Sequence, residues 1–277
     1  MMWRVLFAFC AVAFMCPWSA SAQSPLERAR VLYNAGEFEQ AIAMAANSEI
    51  KPAAAASAAL ITARARLELF RKSGDANGLA AARAGLAALN PHSLAPQELV
   101  EWQIGLGSAL FLENEPGPAA DMFTTVLPSA RARLTPVEFE KCLEWWGTAA
   151  SAAAAGLAGE ARAHAFETFR ASAALELERN PFSRPATYWS VVASRGAGDL
   201  EEAWNTAVAG WIRAGLQPDG LQLRKDLEGF VTQTLIPERA QARTGQRPEP
   251  RAAGGDIAAL TAEWRAITAR WGGGSEN

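Results

Sequence analysis

Reactive side chains are scarce in this chain. Its 277 residues include two histidines, His92 and His164, and three cysteines, Cys10, Cys16 and Cys142. His92 falls in the loop-like run Asn-Pro-His-Ser, and His164 in the middle of an alanine-rich helical stretch. No HExxH, CxxC, GxSxG or phosphate-cradling glycine loop occurs, so zinc, nucleotide and an activated nucleophile all lack a case. Carboxylates are plentiful, yet pairs such as Glu138/Glu140 and Glu201/Glu202 read as solvated helix faces or as partners of a helix N-terminus. These shortages point away from an enzyme, and no cofactor and no metal is expected. Lysine is nearly missing as well: Lys51, Lys72, Lys141 and Lys225 are all there is, and arginine carries the rest of the positive charge. With a formal net charge of -3, the chain has no basic footprint for nucleic acid or an anionic membrane. β-Branched residues are sparse and never alternate with polar ones, which leaves no candidate for a half-buried strand.

What the chain has in their place is alanine. Half of the residues are hydrophobic, and much of that share is the side chain that loses no entropy in a helix. An all-α fold is expected. The first residues have the order of an export signal: Arg4, an apolar run from Val5 to Cys16, Pro17, then the small residues Ser19-Ala20-Ser21-Ala22. Residues 1–22 therefore read as a signal peptide cleaved after Ala22, placing the mature chain in the periplasm or outside the cell. The apolar run is shorter than the roughly 20 residues of a spanning helix. No stable membrane span is expected after cleavage, and an uncleaved anchor is the alternative. Bulky Phe9 and Met15 precede Cys10 and Cys16, which speaks against a lipoprotein acceptor. Cleavage leaves Cys142 alone and so rules out an internal disulfide. Among Phe139, Leu143 and Trp146, Cys142 reads as a small buried hydrophobe.

An internal repeat runs through most of the remaining chain. Leu26 to Asn47 reads as two short helices joined at Gly36, with Ala29 and Leu32 on the inner face of the first and Phe38, Ala41 and Ile42 on that of the second. The same spacing returns at Val191, Gly198, Leu200 and Ala203, and at Ala149, Gly156, Ala158 and Ala161. A further version has Gly107, Asn114, Pro116 and Ala119, and a stretched one centres on Ala81. The marker alanines Ala41, Ala81, Ala119, Ala161 and Ala203 stand 40, 38, 42 and 42 residues apart. One helical hairpin recurring at near-constant spacing is the signature of a solenoid. The Ala–Gly–aromatic–Ala spacing in LERARVLYNAGEFEQAIAMA resembles the tetratricopeptide repeat, and Pro52, Pro91 and Pro218 fall near the ends of units, where that family often has proline. The units are longer than that family's usual 34 residues.

Residues 23–242 are thus expected to form a solenoid of antiparallel hairpins, with helices near 25–35, 37–48, 53–70, 76–89, 96–112, 117–131, 135–155, 158–179, 184–197, 200–214 and 218–241. Residues 243–255, which contain TGQRPEPRAAGG, read as an exposed Pro/Gly-rich loop. Residues 256–271 carry Ile257, Leu260, Trp264, Ile267 and Trp271 at helical spacing and read as a helix that docks back as a cap, with a frayed tail, 272–277, after it.

Tetratricopeptide arrays bind extended peptides or partner helices on the concave face made by the first helix of each unit. Carried onto this chain, the resemblance implies a face lined by Arg30, Tyr33, Asn34, Ile104, Ser108, Phe111, Trp146, Tyr188 and Arg195. Tyr, Trp and Arg are the types enriched at binding hot spots. The bland reading of the same aromatics is helix-packing core, with the groove filled by the chain itself. Trp145 and Trp146, about 100° apart on one helix, are not expected to face the same way. The functional expectation is a non-catalytic adaptor that holds a protein or peptide partner. The alternatives are an assembly subunit of an envelope complex, marked by an apolar patch outside the groove, and a glycan-acting envelope enzyme, marked by carboxylates converging in one cleft.

Overall fold

The computed structural model describes residues 24–47, 49–245 and 253–272; the expected signal peptide, most of the Pro/Gly-rich loop and the tail beyond Gly272 lie outside them. The described residues form helices α1 (Pro25–Ala35), α2 (Phe38–Ala45), α3 (Ala55–Ser73), α4 (Ala76–Ala88), α5 (Pro96–Leu112), α6 (Pro116–Arg133), α7 (Pro136–Ala155), α8 (Gly159–Arg179), α9 (Arg184–Gly196), α10 (Leu200–Ala214), α11 (Leu221–Phe230), α12 (Ile236–Gly245) and α13 (Ala253–Gly272), with no strand among them.

Local chemistry sets the starts. Ser24 and Glu27 close a reciprocal capping box at α1, with Pro25 in the first turn, and Thr135, Pro136 and Glu138 do the same at α7. At α5 only half of that device exists: Glu98 accepts from the Ala95 backbone N–H at 3.0 Å, but Ala95 has no hydroxyl to return the bond. The turns obey the repeat where it is strongest. Gly36, Asn114 and Gly198 all sit in the left-handed region, φ 84, 66 and 88°, closing the first helix of their hairpins.

Elsewhere the repeat departs from the expected spacing. Ala41, Ala119 and Ala203 are fully buried, but Ala161 is exposed, and in the second hairpin Ala82 rather than Ala81 takes the buried place. Gly156 is right-handed, φ −72°, and the left-handed residue of that turn is Gly159. The reason lies in α8. It packs chiefly on α9, through Phe166, Phe169 and Ala173, and only lightly on α7. A Cβ at Gly196 would lie 2.2 Å from the Phe166 ring, so that glycine is what lets α8 and α9 come together.

The helices stack as an all-α solenoid of antiparallel hairpins. Neighbours in sequence pack on one another, and the first helices of successive hairpins, α1, α3, α5, α7, α9 and then α11, lie side by side. The core is strung along the array instead of gathered at a centre, as expected when each unit touches only its neighbours. One apolar cluster joins α1 to α3, the next α3 to α5, a larger one α5 to α9, and the last α9 to α13. Helix α13 caps the end. It folds back on α10 and α12, burying Leu260 and Trp264, whose indole stands edge-on to Trp204 at 5.8 Å and Trp211 at 6.3 Å. Trp271, last in the stripe, remains half exposed.

Between α11 and α12 the helix widens into a π turn, Val231–Leu235. Pro237 accounts for it: proline offers no N–H, and its ring collides in α geometry with the carbonyl four residues before. No helix among the described residues is long and apolar enough to cross a membrane.

Candidate functional site

The row of first helices forms the concave face, and its two halves differ. In the N-terminal half the chain fills the concavity itself. Arg30 pairs with Glu98 and, at 3.2 Å, with Glu101; Arg64 reaches the other oxygen of Glu101 at 2.8 Å. Glu101 is buried between the two guanidiniums. Trp145 donates its indole N–H to Glu68 at 3.2 Å. Asn34 donates to Glu138 at 3.2 Å, and the Lys141 ammonium donates to the Asn34 carbonyl at 2.9 Å, so α1 is tied to α7, three hairpins on. Between Tyr33, Arg64, Glu68, Ser108 and Trp145 only about 20 Å³ of void remains. A shallow hollow of about 150 Å³ beside it is lined by Phe38, Arg71, Phe111 and Trp145.

Burial sets the ionisation of this half. It pushes the Tyr33 hydroxyl up to about 12, although Arg64 opposes it. Burial also raises the Cys142 thiol to about 12 and lowers the Lys141 ammonium. At Glu138 burial works upward, but hydrogen bonds from the Thr135 N–H, the Thr135 hydroxyl and Asn34 outweigh it and hold the carboxyl below its usual range.

The C-terminal half is open. Helices α7, α9 and α11, with the π turn, enclose a cavity of about 600 Å³. Glu144 and Thr148 come from α7, Arg184, Tyr188 and Trp189 from α9, Asp226 and Phe230 from α11, and Gln233 and Thr234 from the π turn. Glu144 and Thr148 also line the N-terminal hollow, so the two spaces meet at this stretch of α7. The aromatic wall is positioned by Gly147. A Cβ there would lie 2.3 Å from the Trp189 indole, which therefore rests on the backbone of α7. Tyr188 stands edge-on to Trp189 at 5.1 Å and to Phe230 at 5.9 Å. Glu144 meets solvent, yet the surrounding walls withdraw enough water to push its carboxyl upward; the Trp189 N–H and Arg184 pull it down, and Asp226 adds to the rise. The Trp189 N–H acts on Glu144 without closing a hydrogen bond of full geometry.

The residues expected to line the groove are divided by this architecture. Arg30, Tyr33, Asn34, Ile104 and Ser108 belong to the filled N-terminal half; Ile104 and Ser108 are buried beneath it, the Ser108 hydroxyl donating to the Ile104 carbonyl at 3.0 Å. Phe111 borders the hollow, edge-on to Trp145 at 6.0 Å. Tyr188 lies in the open cavity. Arg195 is paired with Glu238 of α12 through two of its three guanidinium nitrogens, the Nε bond at 2.8 Å. Trp146 is a correction: it is 2 % exposed, donates to the Thr124 hydroxyl at 3.1 Å and packs edge-on to Phe169 at 5.2 Å. It is core, because α7 is clasped by α6 on one side and α9 on the other, leaving Trp145 to face the concavity.

Glu144, Asp226 and Phe230 were not among the expected lining. The signals were present in part: Glu144 and Thr148, like Arg184 and Tyr188, are four apart and share a helix face. Nothing in the spacing marked α11 as a further member of the row. No protein-family model matches the chain, and neither a curated protein nor a solved structure matches it.

Proposed function

We propose that this chain is a tetratricopeptide-like adaptor that acts without catalysis, exported to the periplasm or cell surface, which binds a protein or peptide segment in the C-terminal half of its concave face. One observation carries the reading. The array fills its N-terminal concavity with its own side chains but leaves an aromatic-walled cavity of about 600 Å³ between α7, α9 and α11. That is within the size range of ligand sites, roughly 300–1,000 Å³. The π turn in its wall adds support, since such turns gather at working surfaces. Capture of partners from an envelope fraction tests the reading. A partner retained by the wild type and by a variant at an exposed residue outside the cavity, Val31→Ala, but lost with Tyr188→Ala is the expected result. Equal retention by all three removes the cavity from the function.

Specific observations favour two other readings. Phe182, Leu216 and Leu221 are exposed near the α8–α9 and α10–α11 turns, which the Gln217 amide links by donating to the Phe182 carbonyl at 3.1 Å; an assembly subunit would dock there. Glu144 and Asp226 share one cavity, which a glycan-acting enzyme would require. Partner loss with Leu216→Asp would favour the first, and release of reducing sugar ends that Glu144→Gln abolishes would favour the second.

A further inference from the structure

We propose that the open cavity is a receptor for one basic side chain, an arginine or lysine of a bound peptide, held against the rings of Tyr188 and Phe230 and facing the carboxylates of Glu144 and Asp226. The inference rests on the groove-binding reading and specifies its ligand.

The chain displays the same chemistry, satisfied from within, in its other half. Arg64 stands 4.6 Å over the Tyr33 ring while its guanidinium pairs with Glu101 at 2.8 Å. Arg71 stands 5.3 Å over Trp145 and pairs with Glu68 at 2.8 Å. Lys72 lies 4.6 Å over Phe38. Each of these concave aromatics is covered by a cation of the chain, drawn by the negative face of the ring and, for the two arginines, by a carboxylate beside it. The C-terminal cavity repeats the set of rings and carboxylates, but with no cation placed over the rings. Among the described residues no basic side chain stands over Tyr188 or Phe230.

The charges around the cavity narrow the ligand further. Arg184 and Lys225 line it too, but both are exposed, and Arg184 already acts on Glu140 and Glu144. Their charge offsets that of Glu144 and Asp226, so the lining disfavours a polybasic run and suits at most one cation, placed at the rings. The fit is a single arginine or lysine within an otherwise neutral or acidic segment. Glu144 gains from such a partner. Its carboxylate is costly in the walled space and is made more so by Asp226, and a ligand cation offsets both effects. Gln233 and Thr234, turned to the cavity by the π turn, offer amide and hydroxyl groups to the peptide backbone on either side.

The test uses the full chain and a random hexapeptide array. The strongest binder is resynthesised with its basic residue replaced by citrulline or norleucine, which keep length and lose charge. Each peptide is titrated against wild type, Glu144→Gln and Tyr188→Leu, with thermal melts confirming that the variants fold. The expected result is one basic residue at a fixed position in the binders and at least a tenfold loss on removing its charge. Glu144→Gln should lose a similar factor with the charged peptide and nothing with the uncharged one. Binders without a required basic residue, or indifferent to Glu144→Gln, overturn the proposal while leaving groove binding intact if Tyr188→Leu still abolishes binding. Binding that survives Tyr188→Leu, or no binder at all, overturns the groove reading as well.

Discussion

Asn34 donates its side-chain amide to Glu138 at 3.2 Å across 104 positions of sequence. The bond joins the first helix of the first hairpin to the first helix of the fourth, so the row of first helices curls until its beginning meets its middle. This closure removes the N-terminal concavity as a site for an extended ligand. It also predicts an acid limb in stability. The carboxyl of Glu138 is held below its usual range, burial being outweighed by the Thr135 and Asn34 hydrogen bonds. A depressed folded value contributes stability that is present above the ordinary carboxylate range and is lost as pH falls through the lowered one. Melting temperature measured against pH should fall on acidification, with Glu138→Gln flattening part of that fall. A variant that tracks the wild type at every pH would detach Glu138 from the closure.

The regular and the broken units separate in a packing test. Ala41 and Ala203 are fully buried where helices cross, and leucine at either should overpack the contact and cost about 1–3 kcal/mol. Ala161 occupies the same place in the spacing but is exposed, so leucine there should stay within about 0.5 kcal/mol of wild type. Urea melts of the three variants settle the matter, and equal losses at all three would restore Ala161 as a packed marker.

The starts of α1 and α7 and the turns after α1 and α9 were legible because their causes are local, whereas the expected helix 218–241 is α11, the π turn and α12. Ser24-Pro25-Leu26-Glu27 and Thr135-Pro136-Val137-Glu138 carry cap, proline and acidic partner within four residues, and Gly36 and Gly198 carry the left-handed turns. The docking of α13 was legible from its stripe, because Leu260 and Trp264 have no other way out of water. Curvature was not legible. It is written in long-range pairs such as Arg30 with Glu101, whose members look like ordinary solvated charges in sequence. The orientation of α7 was hidden for the same reason. Trp145 and Trp146 are equally apolar, and only the positions of α6 and α9 decide which one borders the concavity. Glu144 and Asp226 gain significance only from what curvature places opposite them.

Trp146 and Tyr188 should accordingly respond in opposite ways. Trp146 is enclosed, hydrogen-bonded and packed on Phe169, so Trp146→Ala should cost about 3–5 kcal/mol of stability. Tyr188 is half-buried on the cavity wall, and its hydroxyl is raised above the usual tyrosine range by burial and the nearby carboxylates. Tyr188→Ala should cost markedly less stability while abolishing partner capture. Chemical denaturation alongside capture measures both, and a larger stability loss at Tyr188 than at Trp146 would exchange their assignments.

Cys142 serves to test both the packing of the array and the proposed cleavage after Ala22. Its side chain is 1 % exposed beneath the filled N-terminal concavity, and burial pushes its thiol up to about 12. The thiolate is the reacting species, so in the folded chain at mildly alkaline pH both ionisation and access are withheld. An aromatic disulfide reagent should leave Cys142 unmodified on the timescale of minutes. Loosening the closure with Asn34→Ala should raise the rate, since the reagent then reaches the thiol through local opening of α1 from α7. The same reagent in denaturant counts thiols. The sequence has three cysteines, two of them in residues 1–22, so a chain cleaved after Ala22 should yield one thiol and an uncleaved chain three. Fast modification of the native cleaved chain would mean that Cys142 is not enclosed, and would undo the packing described for α7. Three thiols in protein recovered from outside the cytoplasm would leave export standing but remove cleavage, making the apolar run from Val5 to Cys16 an anchor that holds the array at the membrane.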